Sequence, residues 1–162
     1  MQQINIDVID IPKYIPDFLS ISYSKIPNAG LGIFANRDIQ KGTFLGNYMG
    51  EIIEDFDSYE LNDYCFDSIH INKNTTFIID GFDIDKSNFA RFLNCCYNKD
   101  VQNVLAIRYT NKDTNNIFEN RIGNKIDIDG YIFLYAKRNI LQGEELLYDY
   151  GEQYREKLNI KM

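Results

Sequence analysis

Short apolar runs, separated by polar turns that contain glycine, dominate the chain and predict many β-strands. Residues 19–23 alternate apolar and polar positions, which is typical of a strand with one buried face. Further β-prone runs fill residues 33–35, 43–53, 75–79, 104–109, 131–136 and 146–150. Helical patterning is weak and confined to residues 58–63, 86–93 and 152–158. The pattern therefore predicts a mainly β fold of the α+β class with few short helices.

The length of 162 residues predicts one domain over residues 1–162 that can bury a core without disulfide or metal staples. Residues 111–128 are polar and rich in asparagine, and they predict an exposed inserted loop or hairpin. Residues 152–162 form a short tail, for which a covering helix and a frayed terminus are both open.

The net charge of the chain indicates which class of macromolecule it can bind. The net charge is -7, and a nucleic-acid-binding protein would need a basic surface instead. An acidic surface attracts a basic protein or peptide through long-range steering. The acidic run over residues 54–60 is a candidate docking site for a basic peptide, and the alternative is a solvated face.

Cysteine and histidine usage predicts an intracellular protein without a metal site. Cys65, Cys95 and Cys96 form no CxxC pair, which favours a reducing compartment. His70 has no second ligand at metal-binding spacing. There is no signal-peptide pattern and no apolar run of about 20 residues, so we expect no membrane span.

The segment Gly30-Leu-Gly-Ile-Phe-Ala35 has the spacing of a dinucleotide-binding fingerprint, but its context excludes that function. A true fingerprint follows a buried strand and opens a helix, whereas here a polar stretch precedes it and a β-prone run follows. Two interpretations remain open. The glycines allow the backbone to approach a ligand closely, or they form an ordinary turn.

Asn94 and four tyrosines are the other candidates, and each has a structural alternative. Asn94 lies where a predicted helix ends, so its amide either binds a ligand or caps that helix. The tyrosines either line a site or are core aromatics; they are Tyr48, Tyr64, Tyr148 and Tyr150.

Five short segments, in order, resemble the motifs of SET-domain protein lysine methyltransferases. They are Ala29–Gly32, Tyr48-Met-Gly-Glu51, Asp63-Tyr-Cys-Phe-Asp67, Arg91-Phe-Leu-Asn94 and Glu145-Leu-Leu-Tyr-Asp-Tyr150. The resemblance covers a core of about residues 17–155 and is closest to compact, stand-alone viral and bacterial members. It implies small curved β-sheets around a C-terminal pseudoknot. It also implies that S-adenosylmethionine binds on one face and that the target lysine enters from the other through an aromatic channel.

The resemblance assigns roles to individual residues. It implies that Tyr150 is the catalytic tyrosine and that Tyr148, Tyr64 and Tyr48 complete the catalytic group. The cofactor-binding residues that it implies are Ala29, Gly30, Leu31, Gly32, Tyr64, Arg91, Phe92, Asn94, Cys95 (through its main chain) and Tyr154, the last against the adenine. A tyrosine at position 148 implies a predominantly monomethylated product.

The predicted activity is that of an S-adenosylmethionine-dependent protein lysine N-methyltransferase acting on a histone tail or another basic protein. Such a protein would act in the nucleus or a host nucleus, or otherwise in the cytoplasm. A non-catalytic SET module is the first alternative, because Cys95 stands where the family usually has histidine and the flanking zinc segments are missing. A small β-rich structural protein is the second alternative. A homodimer is a candidate arrangement because the usual cover of the channel is missing.

Overall fold

The computed structural model describes residues 15–54, 57–70, 74–108 and 130–152. The predicted loop 111–128, nearly all of the tail 152–162 and Tyr154 lie outside the described residues, as do Asp55 and Phe56 of the acidic run.

Strands dominate the described chain, which confirms the prediction of a mainly β fold. The strands are β1 (Leu19–Tyr23), β2 (Leu31–Ala35), β3 (Phe44–Tyr48), β4 (Glu51–Ile53), β5 (Cys65–His70), β6 (Thr75–Asp80), β7 (Asn94–Cys95), β8 (Val104–Arg108), β9 (Ile132–Ala136) and β10 (Leu147–Tyr148). Two 3-10 helices occupy Phe89–Phe92 and Lys99–Val101. None of the helices among the described residues is long or apolar enough to cross a membrane.

Two of the predicted helices differ from the structure for local reasons. The helix predicted over residues 58–63 is wrong, because turns and irregular backbone occupy this stretch. Oδ1 of Asn62 accepts a hydrogen bond of 2.8 Å from the backbone N–H of Tyr64, an Asx turn that competes with helix formation. The helix predicted over 86–93 shrinks to Phe89–Phe92, since Oδ1 of Asn88 caps the N–H of Ala90 and β7 begins at Asn94.

The strands form four small sheets. Strands β1 and β2 make an antiparallel hairpin, and β7 and β10 make a short parallel pair. The two three-stranded sheets have the orders β4-β6-β5 and β3-β9-β8.

The chain forms two compact units, each assembled from separate stretches. The described part of the first unit covers residues 47–54, 57–70, 74–91, 108 and 130–133, and it contains the sheet β4-β6-β5. Its core includes Phe77, Ile78 and Ile79 of β6, all at most 4% exposed. Because β6 lies between β4 and β5, its buried side chains anchor both neighbours. The prediction of one domain over residues 1–162 stays a prediction.

The second unit covers residues 15–46, 92–107 and 134–152 of the described chain and contains the hairpin and the parallel pair. Ile33, Leu134, Ile140 and Leu146 are at most 1% exposed in its core. Full burial of an aliphatic side chain contributes about 1.5–3 kcal/mol, so these residues hold the hairpin against the C-terminal segment.

The C-terminal segment of the second unit, residues 143–148, passes between β2 and the loop 94–103. On one side, the N–H of Leu146 donates to the carbonyl of Ile33 at 2.7 Å. On the other side, the N–H of Cys96 donates to the carbonyl of Tyr148 at 2.9 Å, and Asn103 binds Leu147. The segment is thus bonded to both ends of the loop it passes, which is the pseudoknot that the resemblance implies.

Candidate functional site

The turn between β1 and β2, here called the glycine loop (Ser24–Gly32), carries the first predicted cofactor-binding segment. The N–H of Ser24 donates to the carbonyl of Gly30 at 2.8 Å and closes the loop. Gly30 has a φ of 75°, in the left-handed region that glycine adopts without a steric cost. The sequence Asn28-Ala-Gly30 therefore folds as a tight turn and displays Ala29 to Leu31 at its end.

Gly32 is required for close packing. A Cβ added at Gly32 would lie 2.3 Å from Oε1 of Glu145 and 3.2 Å from Nδ2 of Asn94. The glycine thus allows Glu145 and Asn94 to approach the backbone closely, and the predicted approach of a ligand to this loop stays a prediction.

Asn94 begins β7 and joins three parts of the second unit. Its Nδ2 donates to the carbonyl of Leu31 at 2.9 Å and to Oε1 of Glu145 at 3.1 Å. The helix-cap interpretation of Asn94 is therefore wrong, because its side chain binds β2 and the C-terminal segment. Within the part of the chain that the structure describes, Oδ1 of Asn94 has no hydrogen-bond partner.

Glu145 is a central residue of this region that the sequence analysis quoted in a motif but gave no role. It is 7% exposed and accepts three kinds of donor. Ser24 Oγ donates to Oε1 at 2.6 Å, the N–H of Lys25 donates to Oε2 at 3.0 Å, and Asn94 donates to Oε1. The sequence did offer a signal for this role, because Glu145 directly precedes the apolar pair Leu146-Leu147 and is therefore expected to be buried. A buried carboxylate needs hydrogen-bond donors.

Tyr148 and Tyr150 lie beside the predicted cofactor-binding residues of β7. Tyr148 pairs with Cys95 in the parallel register of β10 and β7, and its side chain is buried. The hydroxyl of half-buried Tyr150 donates a hydrogen bond to the carbonyl of Leu93. The two tyrosine rings pack with their centroids 4.6 Å apart. Strand pairing thus holds Tyr148, and a hydrogen bond to the residue before β7 holds Tyr150.

In the first unit, Tyr64 is held through its main chain and its ring. Its carbonyl accepts hydrogen bonds from the hydroxyl of Tyr48 at 2.6 Å and from the N–H of Gly81 at 3.0 Å. The guanidinium of Arg91 lies 4.6 Å from the centre of the Tyr64 ring, a cation–π contact. Arg91 also donates to the carbonyls of Gly81 and Phe82, at 2.9 and 3.0 Å.

Tyr48 is a buried residue that supports the main chain of Tyr64, and the catalytic role predicted for it stays a prediction. Tyr48 is 5% exposed, and burial raises the pKa of its hydroxyl well above the ordinary value. The hydroxyl is thus neutral and donates to the main chain of Tyr64. Its environment matches the alternative of a core aromatic with a satisfied hydroxyl.

Asp80, at the end of β6, is a second buried carboxylate that the sequence analysis missed. It accepts hydrogen bonds from the hydroxyl of Tyr59, from Nδ2 of Asn62 at 3.0 Å, and from the N–H of Phe82 at 2.9 Å. Since Asn62 also binds the N–H of Tyr64, this cluster helps to fix the main chain at Tyr64. The bond to Asp80 raises the pKa of Tyr59 to about 12.

The predicted site residues therefore fall into two groups. The second unit brings together the glycine loop, Asn94, Cys95, Tyr148 and Tyr150, with Phe92 two residues before the start of β7. The first unit contains Tyr48, Tyr64 and Arg91. Among the residues described, no group of three or more His, Cys, Asp or Glu side chains is arranged to hold a metal ion.

Comparison with protein families and curated proteins assigns the chain to a family. The SET domain model matches residues 30–151. The histone-lysine N-methyltransferase set-17 of Caenorhabditis elegans is 31% identical over 140 residues, which are 86% of this chain and 43% of the relative. The human histone-lysine N-methyltransferase PRDM7 is 30% identical over 148 residues, 91% of this chain and 26% of the relative. The chain thus spans less than half the length of these two relatives.

Solved structures share the fold. The methyltransferase domain of human PR domain-containing protein 2 superposes with a TM-score of 0.64 at 22% identity, covering 94% of this chain and 92% of that one. ATXR5 in complex with histone H3.1 superposes with a TM-score of 0.61 at 23% identity, covering 82% of this chain and 56% of that one. With this fold and the family match over residues 30–151, the chain belongs to the SET-domain family.

Proposed function

We propose that the protein is an S-adenosylmethionine-dependent protein lysine N-methyltransferase. The observation that carries the proposal is the packing of the two motif tyrosines against the strand that begins with Asn94. Tyr148 pairs with Cys95, and Tyr150 bonds to the carbonyl of Leu93. Two relatives that are named histone-lysine N-methyltransferases support the same activity.

The second unit offers groups that fit the methionine part of the cofactor. An ammonium group needs acceptors, and Oδ1 of Asn94 has no partner among the described residues. The glycine loop supplies a backbone edge at Ala29 to Leu31, and the main chain of Cys95 lies on the adjoining strand. When bound, S-adenosylmethionine supplies an electrophilic methyl group on a sulfonium. The contacts predicted for Tyr64, Arg91, Phe92 and Tyr154 stay predictions.

In this proposal Tyr150 positions the methyl group. Because its hydroxyl hydrogen points at the carbonyl of Leu93, the lone pairs of the phenol oxygen face other groups. An oxygen so oriented accepts weak hydrogen bonds from polarised C–H groups and is already in place before the reaction. Tyr150 would therefore hold the reacting carbon in line with the incoming amine.

The target lysine has to react as a neutral amine. Its ordinary pKa is about 10.4, so deprotonation near pH 7.4 costs roughly 4 kcal/mol. Desolvation and a nearby positive charge both lower the pKa of an amine, so an apolar channel and the sulfonium would supply part of this free energy. Water would accept the proton before methyl transfer, and we propose no dedicated general base.

The proposed substrate is a basic protein such as a histone tail. The net charge of -7 favours a basic partner, and one structural neighbour was solved with histone H3.1. Glu54, Asp57 and Glu60 of the acidic run are exposed, which suits a docking surface. Activity on histones would place the protein in a nucleus.

The test is incubation of the full chain with methyl-labelled S-adenosylmethionine and mixed histones, followed by mass spectrometry of modified lysines. Methylated lysine that disappears with Tyr150→Phe supports the proposal. Cofactor binding by calorimetry without transfer to any protein would instead favour the non-catalytic module, for which Cys95 in place of histidine is the motivating observation.

A further inference from the structure

Glu145 is a buried carboxylate whose hydrogen-bond donors among the described residues are all neutral. No Lys or Arg side chain pairs with it in the described ranges, and the ammonium of Lys25 binds the carbonyl of Gly143 instead. Burying a charge is costly unless hydrogen bonds replace its water, and three donors do so here: a hydroxyl, a backbone N–H and an amide.

The three donors belong to the two elements that carry the predicted cofactor contacts. Ser24 and Lys25 begin the glycine loop, and Asn94 begins β7. They lie 121, 120 and 51 residues from Glu145 along the chain, so no local structure holds them together. One carboxylate therefore joins both elements to the C-terminal segment that continues to Tyr148 and Tyr150.

Glu145 also determines which atom of Asn94 is available to a ligand. Nδ2 of Asn94 donates to both the carbonyl of Leu31 and Oε1 of Glu145, so the orientation of the amide is fixed. Oδ1 of Asn94 is then the atom that can accept a hydrogen bond from a ligand. Gly32 leaves room for this arrangement, because a Cβ there would lie 2.3 Å from Oε1 of Glu145.

We propose that Glu145 is a positioning residue for cofactor binding, which holds the glycine loop and the Asn94 amide in the geometry that binds S-adenosylmethionine. This inference rests on the proposed function for the identity of the ligand. In this proposal Glu145 acts through Ser24, Lys25 and Asn94 and does not itself contact the cofactor.

The test replaces the acceptor without changing its size. Glu145→Gln turns one carboxylate oxygen into an NH2 group, which then faces donors on the glycine loop or Asn94. The matched control is Glu144→Gln, since Glu144 binds Arg138 and the N–H of Leu141 in a separate turn. Ser24→Ala is a second variant that removes the hydroxyl donor to Glu145, together with the acceptor of the Ile26 N–H, and leaves the other two donors to Glu145.

Two measurements on each full-length variant separate positioning from general stability. Calorimetry gives the Kd for S-adenosylmethionine, and amide hydrogen exchange followed by mass spectrometry reports the opening of residues 24–32. Loss of hydrogen bonds to a charged group predicts that Glu145→Gln raises Kd about tenfold or more, and Ser24→Ala about threefold. Exchange in the glycine loop should accelerate in both variants, while Glu144→Gln should match the wild type in both measurements.

The outcomes distinguish the two proposals. If Glu145→Gln and Ser24→Ala both bind S-adenosylmethionine with the Kd of the wild type, the positioning role is overturned and the proposed function still stands. An equal rise in Kd for Glu144→Gln overturns it as well, because the effect is then one of general stability. A wild-type chain that binds no S-adenosylmethionine overturns the proposed function, and the positioning role with it.

Discussion

The hydroxyl of Tyr150 donates a hydrogen bond to the carbonyl of Leu93, 57 residues earlier in the chain. Leu93 is buried and immediately precedes Asn94, the first residue of β7. The orientation of the tyrosine hydroxyl is therefore determined by the same short segment that carries the predicted cofactor contact.

Replacing Tyr150 by phenylalanine removes the hydroxyl but keeps the ring that packs on Tyr148. We expect kcat to fall by about 10²–10³-fold, as for the loss of one pre-oriented electrostatic contact. The Kd for S-adenosylmethionine should stay within a few-fold, because the ring and the neighbouring strand are retained. Steady-state kinetics with calorimetry checks both values. Tyr23→Phe is the control, since that side chain is 83% exposed, and wild-type turnover in Tyr150→Phe would contradict the role of the hydroxyl.

The Tyr148→Phe variant tests whether the hydroxyl of Tyr148 limits the number of methyl groups that are transferred. Tyr148 is 5% exposed and lies against Tyr150, so its hydroxyl occupies restricted space. We expect the wild type to give mainly monomethyllysine and the variant to give more dimethyllysine, since removal of the hydroxyl makes room for a methylated amine. Mass spectrometry after many turnovers measures the ratio. Equal product ratios in the two proteins would refute this explanation.

Local pattern was sufficient to predict some elements and insufficient for others. Strand β1 has the predicted bounds because all five of its residues pair with β2, although Leu19 is the one apolar side chain of the strand that is buried. Strand β5 was missed because it contains the polar pair Asp67-Ser68, and Ser68 is buried with its hydroxyl bonded to the carbonyl of Gly130. Pairing along the whole of β6, a tertiary effect, stabilises β5 as a strand.

The same limit applies to the site. The motif residues were identified by resemblance, and the structure brings those of the second unit together. The roles of Glu145 and Asn103 depend on donors and acceptors that are remote in sequence, with Ser24 lying 121 residues from Glu145. The spacing of residues along the chain does not predict contacts over such distances. The roles of these buried polar residues therefore could not be predicted from the sequence.

The side chain of Asn103 supports the C-terminal segment by forming the hydrogen bonds that the backbone of a neighbouring strand would otherwise form. Its Nδ2 donates to the carbonyl of Glu145 at 2.8 Å, and its Oδ1 accepts from the N–H of Leu147 at 2.8 Å. Asn103 is 1% exposed, so Asn103→Ala would leave both main-chain groups buried without partners. We expect the free energy of unfolding to fall by about 2–4 kcal/mol. Urea unfolding monitored by circular dichroism measures this change.

The control for Asn103→Ala is Asn139→Ala. The side chain of Asn139 accepts a hydrogen bond from the N–H of Lys41 at the surface, where water can replace it. Its loss should cost less than about 1 kcal/mol. If the two variants lose equal free energies of unfolding, the buried amide of Asn103 stabilises the fold no more than an exposed one does.

Asp80 predicts how the stability of the first unit depends on pH. Burial opposes its ionisation, but hydrogen bonds from Tyr59, from the N–H of Phe82 and from Asn62 outweigh burial and hold the pKa of Asp80 below its ordinary 3.8. A carboxyl whose pKa is lowered by folding contributes stability that is fully present above the unfolded value and is lost as pH falls through the folded value. The loss should therefore begin below about pH 4.

Asp80→Asn removes this pH dependence because an amide does not titrate in that range. We expect the variant to be less stable than the wild type at pH 7, with the difference narrowing as the pH falls below 3.8, the ordinary pKa of the carboxyl. Thermal unfolding at pH 7, 5 and 3 measures the difference. Asp67→Asn is the control, since that exposed carboxylate lies on β5 of the same sheet. A constant difference between Asp80→Asn and the wild type across this range would mean that the Asp80 carboxylate stabilises the fold through its shape and not its charge.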